Sequence, residues 1–364
     1  MRCPTAFGVA LAVLALAVSA MGGEISPASP EGADPGAPIL MMTRDATPVH
    51  TRPGRCAPVS SRIGPGAVIR VSNGGAARDC PQGWMEREGG GFICGKHLRP
   101  APDDRAGAPS PPPGDQVGLA PGLEAVGVEK GGARLFRKLA DVDGNLPWRL
   151  LYRGSALVVR AVRKRSGLEI RETREGMYVE ADRTKSLPPP INSLGVAIAA
   201  DETPATVAVG GGRTAHVRTA PRPDGLSPGE RWIAVDLAEQ LVHAYEGERL
   251  VYVAPCSTGA KGNTTPGAYR IELKRRAQTM QLRGGHVRVE DVEWIMYYDK
   301  ARGIAIHSAY WHADFGTPAS HGCVNLPRLD AKWIYDWSAP HAAPEDSEIY
   351  PVAEDAGTRV LVFE

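Results

Sequence analysis

The chain has 364 residues, with 42 Lys and Arg against 41 Asp and Glu, so a formal charge of +1 gives no sign of a polyanion-binding surface. That length accommodates two or three domains. Forty-two glycines and 32 prolines, with aromatics at only 6%, point to short strands and many turns.

Residues 1–20, MRCPTAFGVALAVLALAVSA, set Arg2 before an apolar run that ends in Val18-Ser19-Ala20. This is the pattern of a secretory signal peptide, and it predicts an exported protein of the periplasm or cell wall. Cys3 precedes the apolar run, which is the wrong place for a lipid-attachment cysteine. No later segment approaches the roughly 20 apolar residues that a spanning helix needs.

Residues 21–38 read as a linker. Residues 39–98 hold short apolar phrases between glycines, AVIRVS and then QGWMEREGGGFICGKHL, which predicts a small all-β module. Its closing Trp…Gly-Gly-aromatic phrase resembles the bacterial SH3-like domains of cell-wall proteins. Residues 99–118 form a proline-rich linker. SALVVRAV and GLEIRETREGMYVEA mark a second SH3-like block over 119–190. Its basic run Arg160-Ala161-Val162-Arg163-Lys164-Arg165 is expected to be a solvated strand face. Residues 191–229 are expected to be connecting strands and loops.

From 230 to 364 the pattern sharpens. ERWIAVDL alternates Ile233, Val235 and Leu237 on one face of a half-buried strand. QLVHAYEGERLVYVAP predicts a hairpin turning at Glu246-Gly247-Glu248, and PGAYRIELK another strand. VEWIMYYDKARGIAIHS predicts a hairpin that leaves His307 at a strand's C-terminal end. SHGCVN follows on a loop. PRLDAKWIYDW is the best helix candidate, with Trp333, Ile334 and Trp337 at helical spacing and Asp330 placed to cap.

Without residues 1–20, five cysteines remain: Cys56, Cys80, Cys94, Cys256 and Cys323. Two of the first three are expected to pair in an oxidising compartment, and the odd count leaves at least one free thiol. Cys323 is the candidate. It stands in Ser320-His321-Gly322-Cys323, sixteen positions after His307. A thiol with a base beside it, on a loop where glycine permits unusual backbone, meets the needs of a cysteine acyltransferase. Three other roles stay open on chemistry alone. Cys323 could ligate zinc with His307, His312 and His321, although the spacing of two between His321 and Cys323 is short for a ligand pair. It could pair with Cys256, or it could be a small buried side chain.

IAIHSAYWHADFGTPASHGCVNL closely resembles the signature of L,D-transpeptidases, and RWIAVDLAEQLVHAYEGERLVYVAPCSTGAKGNTTPGAYRI resembles that family's opening strands and Ser-Thr-Gly turn. The resemblance covers residues 230–364. It implies a mainly β chain: an L,D-transpeptidase-type mixed β-sandwich with one helix after the catalytic loop, behind one or two small SH3-like β-barrel modules. It further implies Cys323 as nucleophile, His307 as general base, Ser308 as the group orienting it, and His321 and Gly322 as the flank that shapes the oxyanion hole. Ser320, Asn325, Tyr310 and Trp311 are the implied substrate-binding residues, and the segment from Lys274 to Trp294 the implied flap over the cleft. Many members carry Arg where this chain has Asn325, so Arg328 or Lys274 is the substitute considered for holding a donor carboxylate. His312 has no counterpart, and exposure without a role is expected of it. Cys256 is expected to be a buried strand-end residue.

The implied substrate is a peptidoglycan tetrapeptide stem, cut after its third residue. The acceptor is a second stem's amine, a free D-amino acid, an envelope-protein amine or water. No metal or organic cofactor is implied, nor any nucleic-acid partner. The competing readings are an L,D-carboxypeptidase and a wall-binding protein with a degenerate site.

Overall fold

A computed structural model describes residues 38–73, 75, 77–101, 119 and 122–364. The expected signal peptide, most of residues 21–38 and most of residues 99–118 lie outside them.

Two β modules come first, and they share one strand topology. In the first, Ile39–Thr43 pairs antiparallel with Val68–Asn73 and with Leu98–Pro100. Thr47–His50 pairs with Val59–Ile63 and Phe92–Cys94, while Trp84–Arg87 bridges Val68–Asn73 and Phe92–Cys94. In the second, Glu124–Val128 lies between Ala156–Arg165 and Thr184–Ser186. Ala133–Phe136 lies between Arg149–Leu151 and Tyr178–Glu180, and Leu168–Thr173 completes the ladder. The pairing does not close into a barrel in either module: Val59–Ile63 and Arg149–Leu151 are left as edges, and both edges face the C-terminal domain. Of the three N-terminal cysteines, Cys80 and Cys94 are bonded, with Cα atoms 5.8 Å apart, beside the buried Trp84. The basic run of the second module is not a purely solvated face: Arg160 and Arg163 both bind Glu172, and Arg165 binds Asp143.

The C-terminal domain is a sandwich of two sheets. One has six strands in the order Val196–Ala197, Arg249–Pro255, Leu241–Glu246, Arg231–Asp236, Arg359–Phe363, Gly267–Arg270, with Arg231–Asp236 parallel to Arg359–Phe363. The hairpin turn predicted at Gly247 forms there, with a φ of 61° that favours glycine. Asp346–Ile349, Leu273–Leu282, Val287–Asp299, Ile304–Ser308 and Val324–Leu326 make the facing sheet, its last pair parallel. Ile233, Val235, Val242 and Ala244 meet Trp294, Met296, Ile306 and Val324 between the sheets.

Residues 191–229 do more than connect. Val196–Ala197 extends the six-stranded sheet, and Ile198, Val207, Val209, Ala215, Ala220 and Leu226 pack on its outer face against Trp232, Ala234, Leu241 and Tyr245. The strand Arg231–Asp236 is therefore buried on both faces, not one.

The helix Arg328–Trp337 forms as predicted and buries Ala331, Ile334 and Tyr335. Asp330 does not cap it. Its carboxylate accepts from Ser193 Oγ, the Leu194 and Gly195 main-chain N–H groups and Tyr252 Oη, which ties the helix to the preceding segment. The segment expected as a flap, Lys274 to Trp294, is a hairpin of two long paired strands, Leu273–Leu282 and Val287–Asp299.

Candidate active site

Parallel pairing sets the site. Ile304–Ser308 runs beside Val324–Leu326 with His307 in register with Asn325. Side chains two apart in an extended segment share a face, so Cys323, just before the strand, projects to the side of Asn325 and His307. His307 is buried, and its Nδ1 donates to the Ser308 main-chain carbonyl at 2.9 Å. The proton is thereby fixed on Nδ1, and the Nε2 lone pair is left as a base. Ser308 thus orients the ring with its carbonyl; its hydroxyl is engaged elsewhere, accepting from Glu293 N.

Burial moves both groups toward neutrality. It lowers His307 to about 4, with the Ser308 carbonyl opposing and the neighbouring His312 adding to the fall. It raises the Cys323 thiol to about 11, partly offset by the Ala305 main chain. The thiol keeps some surface, whereas Cys256 is wholly buried; both are free, so the Cys256–Cys323 disulfide does not form. Cys256 ends the strand as expected, and burial pushes its thiol well up.

The loop that carries Cys323 is bound on every side. Gly322 has a φ of 145°, and a Cβ there would sit 2.6 Å from Ile304 Cδ1, so no other residue fits without movement. Ser320 Oγ donates to the Cys323 carbonyl and accepts from Gly322 N. Thr264 Oγ1 donates to the Gly322 carbonyl at 2.7 Å. The Thr258 carbonyl accepts from both Ala319 N and Ser320 N, and Ser257 exchanges two main-chain hydrogen bonds with Asn325. Gln240 holds that turn through Thr258, its Oε1 accepting the Thr258 N–H and its Nε2 donating to Thr258 Oγ1. Gln240, Thr258 and Thr264 were not among the expected site residues; the Gln that opens the hairpin and the Ser-Thr-Gly turn were the traces of Gln240 and Thr258 in the family resemblance.

Several expectations change. His321 is exposed, so its side chain stands outside the buried cluster. Tyr310 is buried, and its hydroxyl donates to the Glu290 carbonyl at 2.8 Å. Trp311 is half-buried with its ring centroid 5.9 Å from those of both His307 and His312. Lys274 cannot hold a substrate: its buried ammonium donates to the Tyr335 and Ser338 carbonyls, and burial lowers it to about 7. Arg328 is bound to Glu293. His312 has a partner after all, for its Nε2 lies 2.8 Å from the Asn325 carboxamide. Among the described residues no three His, Cys, Asp or Glu side chains converge as a metal site.

The profile of the YkuD family, described as an L,D-transpeptidase catalytic domain, matches residues 230–362. A Bacillus subtilis protein assigned as the L,D-transpeptidase YciB is 29% identical over 119 residues, covering 29% of this chain and 59% of that protein. A Mycobacterium tuberculosis protein assigned as L,D-transpeptidase 3 is 34% identical over 97 residues, covering 23% of this chain and 34% of that protein. The chain thus spans less than two thirds of either relative. A crystal structure of an L,D-transpeptidase from Xylanimonas cellulosilytica overlays with a TM-score of 0.29 at 22% identity, covering 39% of this chain and 65% of that one, too loose to carry an argument. Residues 230–362 therefore carry a YkuD-type L,D-transpeptidase catalytic domain.

Proposed function

We propose that this chain is a peptidoglycan L,D-transpeptidase working through a Cys323 acyl-enzyme. The observation that carries the reading is His307, its Nδ1 fixed by Ser308 and its Nε2 lone pair free, on the strand beside the pinned Gly322-Cys323 turn. With the thiol raised to about 11 and the imidazole lowered to about 4, the pair rests neutral, and the proton moves during attack. Sγ attacks the carbonyl carbon of the third stem residue as its proton passes to His307 Nε2. The S–C bond forms, the C–N bond to the terminal D-alanine breaks, and the departing amine takes the proton from His307. A second stem's amine then attacks the thioester, restoring the thiol and forming a 3→3 cross-link. Gly322 N is bound to Ser320 Oγ, so the Cys323 N–H is the loop amide we assign to the oxyanion.

The same chemistry would serve a D-amino acid or an envelope-protein amine, and water would make the protein an L,D-carboxypeptidase. Export to the periplasm or cell wall, and SH3-like wall binding by the two N-terminal modules, complete the proposal. Tetrapeptide muropeptides given to purified protein should yield cross-linked dimers and free D-alanine, and Cys323→Ala should yield neither. Equal product from both proteins overturns the reading; tripeptide without dimers makes the enzyme a carboxypeptidase. A carbapenem should add its mass to Cys323 of the wild type alone.

A further inference from the structure

His312 lies outside the residues that the family resemblance assigns, yet its surroundings are built. Its Nδ1 accepts the Asp314 main-chain N–H at 3.2 Å, so the neutral ring must carry its proton on Nε2. Nε2 lies 2.8 Å from the Asn325 carboxamide. The structure places Asn325 Nδ2 there; a donor on the ring requires an acceptor on the amide, so we assign the two amide atoms the other way round, with Oδ1 toward His312 and the NH2 group turned away. The amide atom that points away from His312, placed as Oδ1, is buried and receives no hydrogen bond from the protein. Asn325 itself is 3% exposed and in register with His307, on the side to which Cys323 projects.

A buried polar group left without a partner costs roughly 1–3 kcal/mol. Such a group is tolerated where a ligand supplies the missing partner. We propose that His312 is a positioning residue: by holding Asn325 Oδ1 it fixes the Asn325 NH2 as a donor to a carbonyl or carboxylate oxygen of the acyl-donor peptide beside Cys323. This inference rests on the acyl-enzyme reading and adds to it the device that places the donor where many family members have Arg. His312 is also the charge nearest in effect to His307. Its burial disfavours the imidazolium, Asp314 on its own loop opposes that, and a charged His312 would depress His307 further.

Two substitutions separate the role from mere packing. Gln can place an amide N–H where Nε2–H stands, whereas Phe fills the space and offers no donor. Tetrapeptide kcat/KM should fall ~10–100-fold in His312→Phe, chiefly through KM, and recover to within about threefold of wild type in His312→Gln. The acid limb of the pH profile should move to higher pH in His312→Gln, because no charge at position 312 then opposes protonation of His307. In a double-mutant cycle, His312→Phe should cost nothing further once Asn325→Ala has been made. A wild type that forms no acyl-enzyme on Cys323 sinks the proposed reaction itself. A wild type that acylates, with His312→Phe equally active or with fully additive losses in the cycle, sinks the positioning role and leaves the reaction standing.

Discussion

The two N-terminal modules fold alike and attach differently. The first meets the catalytic domain through a polar edge: Val59–Ile63 pairs with Asp346–Ile349, Ser61 Oγ donates to Asp346 at 2.8 Å, and Arg87 binds the same carboxylate at 2.6 Å. Its apolar core is entirely its own. The second shares a core with its neighbour. Along Ala156–Arg165, Leu157 and Val159 face the module's interior, while Ala156 and Val158 join Val289, Val292, Ile295 and Tyr310, with Trp311 packed against that cluster. One strand with two apolar faces thus serves two cores. The hairpin that the family resemblance marks as a flap is gripped from 279 to 291, with Tyr152 N donating to the His286 carbonyl and Arg174 bound to Asp291. Burial of apolar surface, not ladder pairing alone, makes the second module part of the wall behind His307.

The largest expected effect comes from Val158→Asp. It places an uncompensated carboxylate in the shared core, at a cost of ~3–5 kcal/mol, and spares the module's own interior. Cys323 acylation should fall ~10-fold or more, and amide exchange in Val287–Asp299 should accelerate. Acylation at the wild-type rate would show that docking of the second module is irrelevant to the site. Arg87→Met is the matching probe of the polar edge. Asp346 would keep Ser61 Oγ and the Ala343 N–H but lose its buried cation, so the first module should loosen, visible as faster proteolysis within 39–100. Acylation should stay within about twofold, as expected of a site with no shared partners. A larger loss would erase the distinction between the modules.

How much of this was legible in the sequence follows from range. Periodicity and turn chemistry act locally, so the hairpin at Gly247, the strand ending at His307 and the helix Arg328–Trp337 were readable. The pair that we propose as reactive could be picked out because Cys323 and His307 sit in one dense motif. Asp330 was misread because an acid in the first helical turn reads as a cap, whereas its partners lie more than 130 residues upstream at Ser193, Leu194 and Gly195. Lys274 was misread because a lysine defaults to the surface. His312 carried no signal: its role depends on Asn325 approaching across a loop. The run SALVVRAV announced a strand, but nothing in it could say that both of its faces are buried, or that Val158 packs against Val289 and Val292.

Glu290 offers the smallest and most selective test of the shared core. It is fully buried at the interface, accepting from Val158 N at 3.3 Å and from Arg288 Nε at 3.1 Å. Arg288 is divided between Glu290 and Glu175 of the second module. Burial first, then the charge of Glu175, outweigh Arg288 and lift Glu290 to about 7 from an ordinary 4.5. The docked state therefore binds more protons at Glu290 than the undocked state between those values, so this group's contribution to docking is fully present below about pH 4.5 and is lost as pH rises to about 7. Glu290→Gln keeps the shape and removes the titration. Its unfolding midpoint should lose the decline expected of the wild type between about pH 4.5 and about pH 7, while the polar edge of the first module, which lacks this group, contributes none of that slope. An unchanged slope in Glu290→Gln would place the pH response elsewhere and leave the shared core resting on its apolar contacts alone.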